Sequence, residues 1–234
     1  MRNQVTNMKQ TRRNFTLASA ALALAATFSS VPARADDAAD AKGVVDKAMA
    51  TVNSFAADKD YASLPGLLAK AKAVLVYPQI IEGGFIIGGA GGTGVLLVRD
   101  PKTGDFGSPA FYTMGGLSIG LLAGGQAAEV MLLVNSQKAL DSMLTDKVKL
   151  GAGASIAMGP KGAGQAASVD IVSYAKAKGV FASMAFDGQV IDVREKLNAA
   201  YYGKPVTPVD ILIKKDVSNP GAAALRAALK SLAK

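Results

Sequence analysis

The sequence contains no cysteine, no histidine and no tryptophan among its 234 residues. Without thiolates or imidazoles the chain cannot form Cys/His zinc sites, Ser-His-Asp triads or Cys-His nucleophile pairs. No disulfide can stabilise the fold. A metal would need oxygen ligands alone, and the Asp-rich calcium loop of an EF-hand is missing from the sequence. We therefore expect a protein that is not an enzyme and that needs neither a cofactor nor a metal.

The positive charge of the chain is concentrated near its N-terminus. The formal net charge is +8, with 26 basic and 18 acidic residues. Residues 1–35 contain five of the basic residues and no acidic residue, which leaves 21 basic against 18 acidic residues in the remainder. A surplus of three is too small for an electrostatic nucleic-acid footprint, so we expect no nucleic-acid partner.

The first 35 residues have the layout of an export signal. Paired arginines followed by an aromatic residue and a leucine, in Thr11–Leu17, are typical of a twin-arginine motif. An Ala-rich apolar stretch follows, and Ala33 and Ala35 provide small residues before a cleavage at Asp36. The apolar stretch is shorter than the roughly 20 residues that span a bilayer. We predict a signal peptide over 1–35 and a single domain over 36–234, exported to the periplasm. A general secretory signal and an uncleaved N-terminal anchor are the alternatives.

Hydrophobic periodicity in the rest of the chain predicts helices, then many strands, then helices. That order indicates an α+β domain with a curved or barrel-like, largely antiparallel, glycine-rich sheet flanked by N-terminal and C-terminal helices. Helices are predicted at 36–59, 63–72, 136–144 and 193–201, and from Thr207 and Asn219 onward. Strands are predicted at 73–77 (ending at Pro78), 84–88, 95–99, 109–120, 127–134, 147–158, 166–175 and 180–186.

The first predicted helix has an apolar stripe with two possible roles. The stripe recurs at spacings of three and four residues and includes Val45, Met49, Val52 and Phe55. Such a stripe packs on a protein core, or it lies on a membrane surface as an amphipathic segment. The sequence alone leaves both interpretations open.

The segment Gly89–Gly94 matches the G-x-G-x-x-G pattern of dinucleotide-binding turns. That function requires the turn to open a helix, whose N-terminus then holds the pyrophosphate. Here the apolar run Val95–Val98 follows, which predicts a strand. We therefore interpret the glycines as a strand turn or a bulge rather than a nucleotide site.

An ordered series of segments across residues 45–230 resembles the SYLF domain family. The segments that carry the resemblance are Lys72–Pro78, Gly83–Phe85, Gly88–Val95, Arg99, Ser108–Phe111, Gly116–Gly120, Gln126, Tyr174–Phe181, Asp187–Gly188, Asn198, Tyr201–Gly203 and Asp210–Leu212. The resemblance implies a lipid-binding domain without catalysis, whose eukaryotic members are associated with phosphoinositide membranes and some with actin. An exported protein would meet neither of these, so anionic phospholipid at a membrane surface is the expected partner.

The resemblance implies that basic residues and the first helix make the membrane contact. Lysines on turns beside apolar surfaces can hold a lipid phosphate as point charges. The candidate headgroup ligands are Lys70, Lys72, Lys176 and Lys178. The candidate membrane-facing apolar side chains are Val45, Met49, Val52 and Phe55. The alternative function is an envelope module that binds a protein partner and no lipid, with the apolar stripe packed inside.

Overall fold

The computed structural model describes residues 33–84, 87–119, 124–145, 147–159, 169–178, 186 and 188–234. Most of the predicted export segment, residues 1–32, lies outside these ranges. Helix α1 begins at Ala33 and continues to Ala56, through the predicted cleavage position after residue 35. The other helices are α2 (Leu64–Leu68), α3 (Gln137–Thr145), α4 (Glu195–Tyr202) and α5 (Ala223–Leu232).

The strands form one curled sheet, which confirms the predicted α+β class. The strand order is β5-β8-β3-β2-β1-β4-β7-β6, and every pairing is antiparallel except β6 with β7. The N-terminal and C-terminal helices flank this half-barrel. The strands are β1 (Ala73–Gly84), β2 (Ile87–Val98), β3 (Ala110–Ile119), β4 (Gly124–Val134), β5 (Val148–Lys149), β6 (Ile156–Met158), β7 (Ile171–Lys178) and β8 (Val190–Val193).

The middle strands are buried on both faces, which explains their continuous apolar runs. In β1, Val74 and Val76 pack with α1, α4 and α5, and we call this side the helical face. Leu75 and Tyr77 point the other way and pack with α3 and with Ile211 and Leu212. Successive side chains of a strand point to opposite faces, so a strand covered on both sides needs apolar residues at every position.

The prediction that β1 ends at Pro78 is wrong, because the strand continues to Gly84. A proline lacks the N–H of a ladder bond and is tolerated inside a sheet at a bulge. The register with β2 shifts between Val76 and Ile81, and the register with β4 shifts between Tyr77 and Ile80. β1 thus contains the predicted strand 73–77, whereas the predicted strand 84–88 is divided between the last residue of β1 and the start of β2, with 85 and 86 outside the described residues.

The glycine run opposite this bulge is neither a turn nor itself bulged, since it lies inside β2. A Cβ on Gly92 would lie 2.3 Å from the carbonyl oxygen of Gln79, and one on Gly94 would lie 2.4 Å from that of Val76. Only glycine lets the two backbones approach so closely. The G-x-G-x-x-G pattern therefore accommodates the bulge, and strand geometry continues through it.

Several other predicted elements are displaced or divided. The predicted strand 147–158 is two short strands separated by a turn at 151–153, and 180–185 lies outside the described residues. Ser63 precedes α2 but makes no side-chain cap; its hydroxyl hydrogen-bonds the Tyr174 hydroxyl at 3.0 Å. Thr207 and Asp210 form the predicted reciprocal cap, with the Asp210 N–H donating to the Thr207 hydroxyl at 3.2 Å. The helix they start begins at Pro208 and is a π-helical turn over Asp210–Lys214.

Candidate functional site

The four candidate headgroup lysines lie in two pairs near opposite ends of the sheet. Lys70 and Lys72 are exposed at the end where β1 begins, which we call the proximal end. Lys176 and Lys178 lie in the last part of β7, and Ile171 at its start is level with Ala73 through Val134. Seven residues of strand separate Ile171 from Lys178, roughly 23 Å. One headgroup cannot contact both pairs, and lipid binding by either pair remains a prediction.

Lys176 ties the end of α1 to the sheet. Its Nζ lies 2.8 Å from the Asp58 carboxylate and donates to the Ser54 carbonyl oxygen at 3.3 Å. Both side chains of the ion pair are about one-third exposed, so the pair contributes about 1 kcal/mol at most. The ammonium of Lys176 is thus already engaged within the protein.

The apolar stripe of α1 is turned into the protein. Val45, Val52 and Phe55 are at most 1% exposed, and Met49 is partly buried against the same cluster. The Phe55 ring meets the edge of the Tyr61 ring with centroids 4.7 Å apart. These side chains could contact acyl chains only if α1 left the sheet, so their membrane role stays a prediction that requires detachment.

The helical face extends beyond α1 as a glycine-rich surface with two exposed apolar side chains. Ile81 is 59% exposed and Leu117 is 76% exposed. Ile81 of β1 pairs with Gly91 of β2, which pairs with Gly115 of β3. In the next row on the same face, Gly83 of β1 pairs with Gly89 of β2, which pairs with Leu117 of β3. We call this surface the distal shelf; its residues are Ile81, Gly83, Gly89, Gly91, Gly115 and Leu117.

A cavity of about 260 Å³ lies between α1, the β1 bulge and β4, beside the distal shelf. Lys47 and Glu129 provide its charges, and Lys47 is exposed. The Glu129 carboxylate accepts hydrogen bonds from Ser54 at 2.9 Å and Thr51 at 3.4 Å. Glu129 therefore fixes α1 to β4, whereas the Lys47 ammonium is available at the edge of the shelf.

The buried tyrosines have structural roles. The Tyr61 hydroxyl donates to the Ala175 carbonyl oxygen at 2.7 Å, and the Tyr174 hydroxyl pairs with Ser63. Burial raises the pKa of both phenols, so neither is a nucleophile at neutral pH. Among the described residues, no three potential His, Cys, Asp or Glu ligands cluster in a way that could hold a metal. In the same part of the chain, no helix is both long and apolar enough to cross a membrane.

The sequence reasoning missed the distal shelf because its residues resemble turn signals. The glycines around Ile81 suggested breaks between strands, and the predicted strand 109–120 contains Leu117 without showing which face it takes. Leu117 has the same alternation phase as the buried Phe111 of β3. In β1 the bulge shifts the phase between Val76 and Ile81, so alternation alone would place Ile81 on the opposite face. Only strand register shows that these residues are neighbours.

Comparison with known proteins identifies relatives of this chain. The model of the Ysc84 family, described as a Las17-binding protein actin regulator, matches residues 115–232. Protein YSC84 of Saccharomyces cerevisiae is 30% identical over 178 residues, covering 72% of this chain and 38% of the relative. SH3 domain-containing YSC84-like protein 1 of Bos taurus is 27% identical over 164 residues, covering 67% of this chain and 47% of the relative. The chain thus spans less than half the length of these curated relatives. No solved structure matches the chain.

Proposed function

The chain belongs to the Ysc84 (SYLF) domain family, and from this premise we propose that it is an exported protein that binds peripherally to anionic phospholipid membranes. The observation that carries the proposal is the exposure of Ile81 and Leu117 on the distal shelf. Contiguous apolar surface beside basic residues is typical of membrane contact sites. Export rests on the arginine pair and the small-residue cleavage site in residues 1–35.

The distal shelf suits shallow insertion between headgroups. On β2 the neighbours of Ile81 and Leu117 are glycines, so no side chain of that strand covers them; on β4 the neighbour of Ile81 is Ala127. Burying one such side chain in an apolar phase contributes about 1.5–3 kcal/mol. Lys47 lies on α1 beside the shelf. Ile81 pairs with Ala127 of β4, and Ala127 pairs in turn with Lys178 of β7. Each lysine near an anionic surface adds about 1 kcal/mol, which makes the binding weak and sensitive to salt.

Sedimentation of the predicted mature protein, residues 36–234, with lipid vesicles tests this function. The shelf variant combines Ile81→Ser with Leu117→Ser, and Met158→Ser is the matched control because Met158 is 60% exposed outside the shelf. We expect the native protein and the control to sediment with anionic vesicles at low salt and the shelf variant to remain in solution. If none of the three proteins sediments, membrane binding is excluded and a protein partner in the envelope becomes the function to pursue.

The lysine pairs provide a second arm of the same test. Lys47→Ala with Lys178→Ala should weaken vesicle affinity about thirtyfold, because two headgroup attractions of about 1 kcal/mol each are lost. Lys70→Ala with Lys72→Ala removes the same amount of charge at the proximal end and should change vesicle affinity little. The reverse ranking would place the membrane contact at the proximal end.

The absence of tryptophan allows a direct test of whether α1 detaches. Leu117→Trp would place the only indole on the distal shelf, and its emission should shift to the blue on anionic vesicles. Phe55→Trp would place it under α1, where it is already buried, and its emission should not change. A change of the Phe55→Trp emission on vesicles would instead support detachment of α1 and acyl contact by its apolar stripe.

A further inference from the structure

A cavity of about 490 Å³ at the proximal end is lined by an arginine, Arg99, one of whose donors has no partner among the described residues. It lies between the β2–β3 connection, the segment after the π-helical turn and the start of α5. The Nε of Arg99 is buried there and has no hydrogen-bond partner among the described residues. Buried N–H donors are normally paired, since leaving one unsatisfied is costly. The Arg99 residue as a whole is partly exposed. No described residue satisfies this buried donor of Arg99.

Two further cations line the same cavity and are held in place by the fold. The Nε of Arg226 donates to the Phe106 carbonyl oxygen at 2.6 Å, and Phe106 is the bridge partner of Arg99. The Lys215 ammonium lies 3.3 Å from the Asp100 carboxylate. Lys215 has a φ of +60°, the one positive φ of a non-glycine residue in the described ranges. This left-handed conformation ends the π-helical turn, with the Lys215 N–H donating to the Asp210 carbonyl oxygen.

The two acids of the cavity are already satisfied by other donors. Asp100 accepts from the backbone N–H groups of Lys102 at 2.9 Å and Thr103 at 3.2 Å, as well as from Lys215. Asp105 forms an ion pair of 2.6 Å with Lys230. Among the described residues, neither acid pairs with the Arg99 guanidinium, whose Nη2 would lie 3.1 Å from a Cβ on Gly104. The cavity therefore has a positive charge to offer to an anion.

We infer that this cavity binds a phosphate group, with Arg99 as its principal ligand and Arg226 and Lys215 beside it. The planar fork of an arginine matches the oxygens of a phosphate and gives stronger hydrogen bonds than neutral donors. Leu212 and Ile213 line the cavity too, and Ile213 is 47% exposed. A phosphate ester with an apolar part would contact them. This site lies at the opposite end of the sheet from the distal shelf and stands apart from the proposed membrane contact.

Nuclear magnetic resonance of the Arg99 Nε–Hε group tests the inference on the full chain. Inorganic phosphate, glycerol 3-phosphate and soluble dihexanoyl phosphatidic acid are titrated separately. We expect the Arg99 signal to shift and saturate with at least one of them. Equal affinity for glycerol 3-phosphate and the lipid would identify a soluble phosphate ester as the ligand. Affinity about tenfold higher for the lipid would identify a headgroup whose chains contact Ile213.

Variants separate binding from a structural role of Arg99. Arg99→Met should weaken phosphate binding at least about tenfold, and Arg99→Lys should retain part of it as a point charge. Lys204→Met removes an exposed charge outside the cavity and should bind as the native chain does. Lys215→Met provides an independent loss of binding if Arg99→Met does not fold. The inference is overturned if no probe gives a saturable shift, or if Arg99→Met and Lys215→Met both bind with native affinity.

Discussion

Gly94 of β2 contacts Tyr77 of β1 so closely that a Cβ on Gly94 would lie 2.6 Å from the Cδ1 atom of the tyrosine ring. The same Cβ would lie 2.4 Å from the carbonyl oxygen of Val76. The backbone cannot yield there, because β1 is paired on both sides and bulged at this point. The glycine pattern that resembles a nucleotide motif therefore has a steric role.

Gly94→Ala should destabilise the fold by about 3 kcal/mol, since overpacking at a paired strand forces the backbone to move. The matched control is Gly83→Ala, because a Cβ at Gly83 meets no atom within 4 Å. Chemical denaturation of both variants measures the difference. Native stability of Gly94→Ala would contradict the close approach of β1 and β2.

Asn198→Ala should cost about 1–3 kcal/mol, because it leaves a buried N–H without an acceptor. The Asn198 Oδ1 accepts from the Phe111 N–H at 2.8 Å, and Asn198 is fully buried between α4 and β3. Asn53→Ala on the exposed side of α1 is the control and should change the free energy of unfolding by less than about 0.5 kcal/mol. Equal denaturation midpoints for the two variants would show that Asn198 does not support β3.

Phe55→Ala should destabilise the protein by about 3–5 kcal/mol, the usual cost of removing a buried aromatic side chain. Leu117→Ala should cost less than about 0.5 kcal/mol, because the leucine is 76% exposed. Thermal or urea unfolding compares the two. A small effect of Phe55→Ala would mean that α1 contributes little to the folded state, and would favour its detachment at membranes.

The loss of stability in acid should depend on Asp170. Hydrogen bonds from Ser136 and from the Ser155 backbone and hydroxyl lower the pKa of Asp170 to about 2. An unfolded aspartate has a pKa near 3.9, so between these values the unfolded chain binds more protons and lower pH favours unfolding. The contribution is present above about pH 4 and is lost as the pH falls to about 2.

Asp170→Asn should remove about 1 kcal/mol of stability at neutral pH and flatten the stability profile between pH 4 and pH 2. The small value reflects screening of a carboxylate that is partly open to solvent. Asp60→Asn, at an exposed carboxylate, controls for the loss of one negative charge. The free energy of unfolding is measured for both variants between pH 2 and pH 7. Parallel profiles of stability against pH would show that Asp170 is not the source of the acid-dependent loss.

The capping residues show how far local sequence reaches. Thr207 and Asp210 cap each other as their spacing predicts, and Asn219 accepts from the Gly221 N–H at 2.8 Å at the start of the last helical segment. The type of helix after Thr207 was not predictable, because a π-helical turn differs from an α-helix in bonds that local propensity does not set. Ser63 also failed as a cap, since its hydroxyl reached a tyrosine distant in sequence.

The sequence by itself determined the α+β class, most element positions, the family and the absence of Cys and His chemistry. These follow from periodicity, composition and an ordered series of segments, which are properties of neighbours along the chain. Only the tertiary structure decided that the α1 stripe is buried, that the four lysines form two separate pairs, and that Ile81 and Leu117 share one exposed surface. Those outcomes depend on strand register and on which element covers which face. A shift of one residue reverses the facing of a whole strand, and no local pattern specifies it.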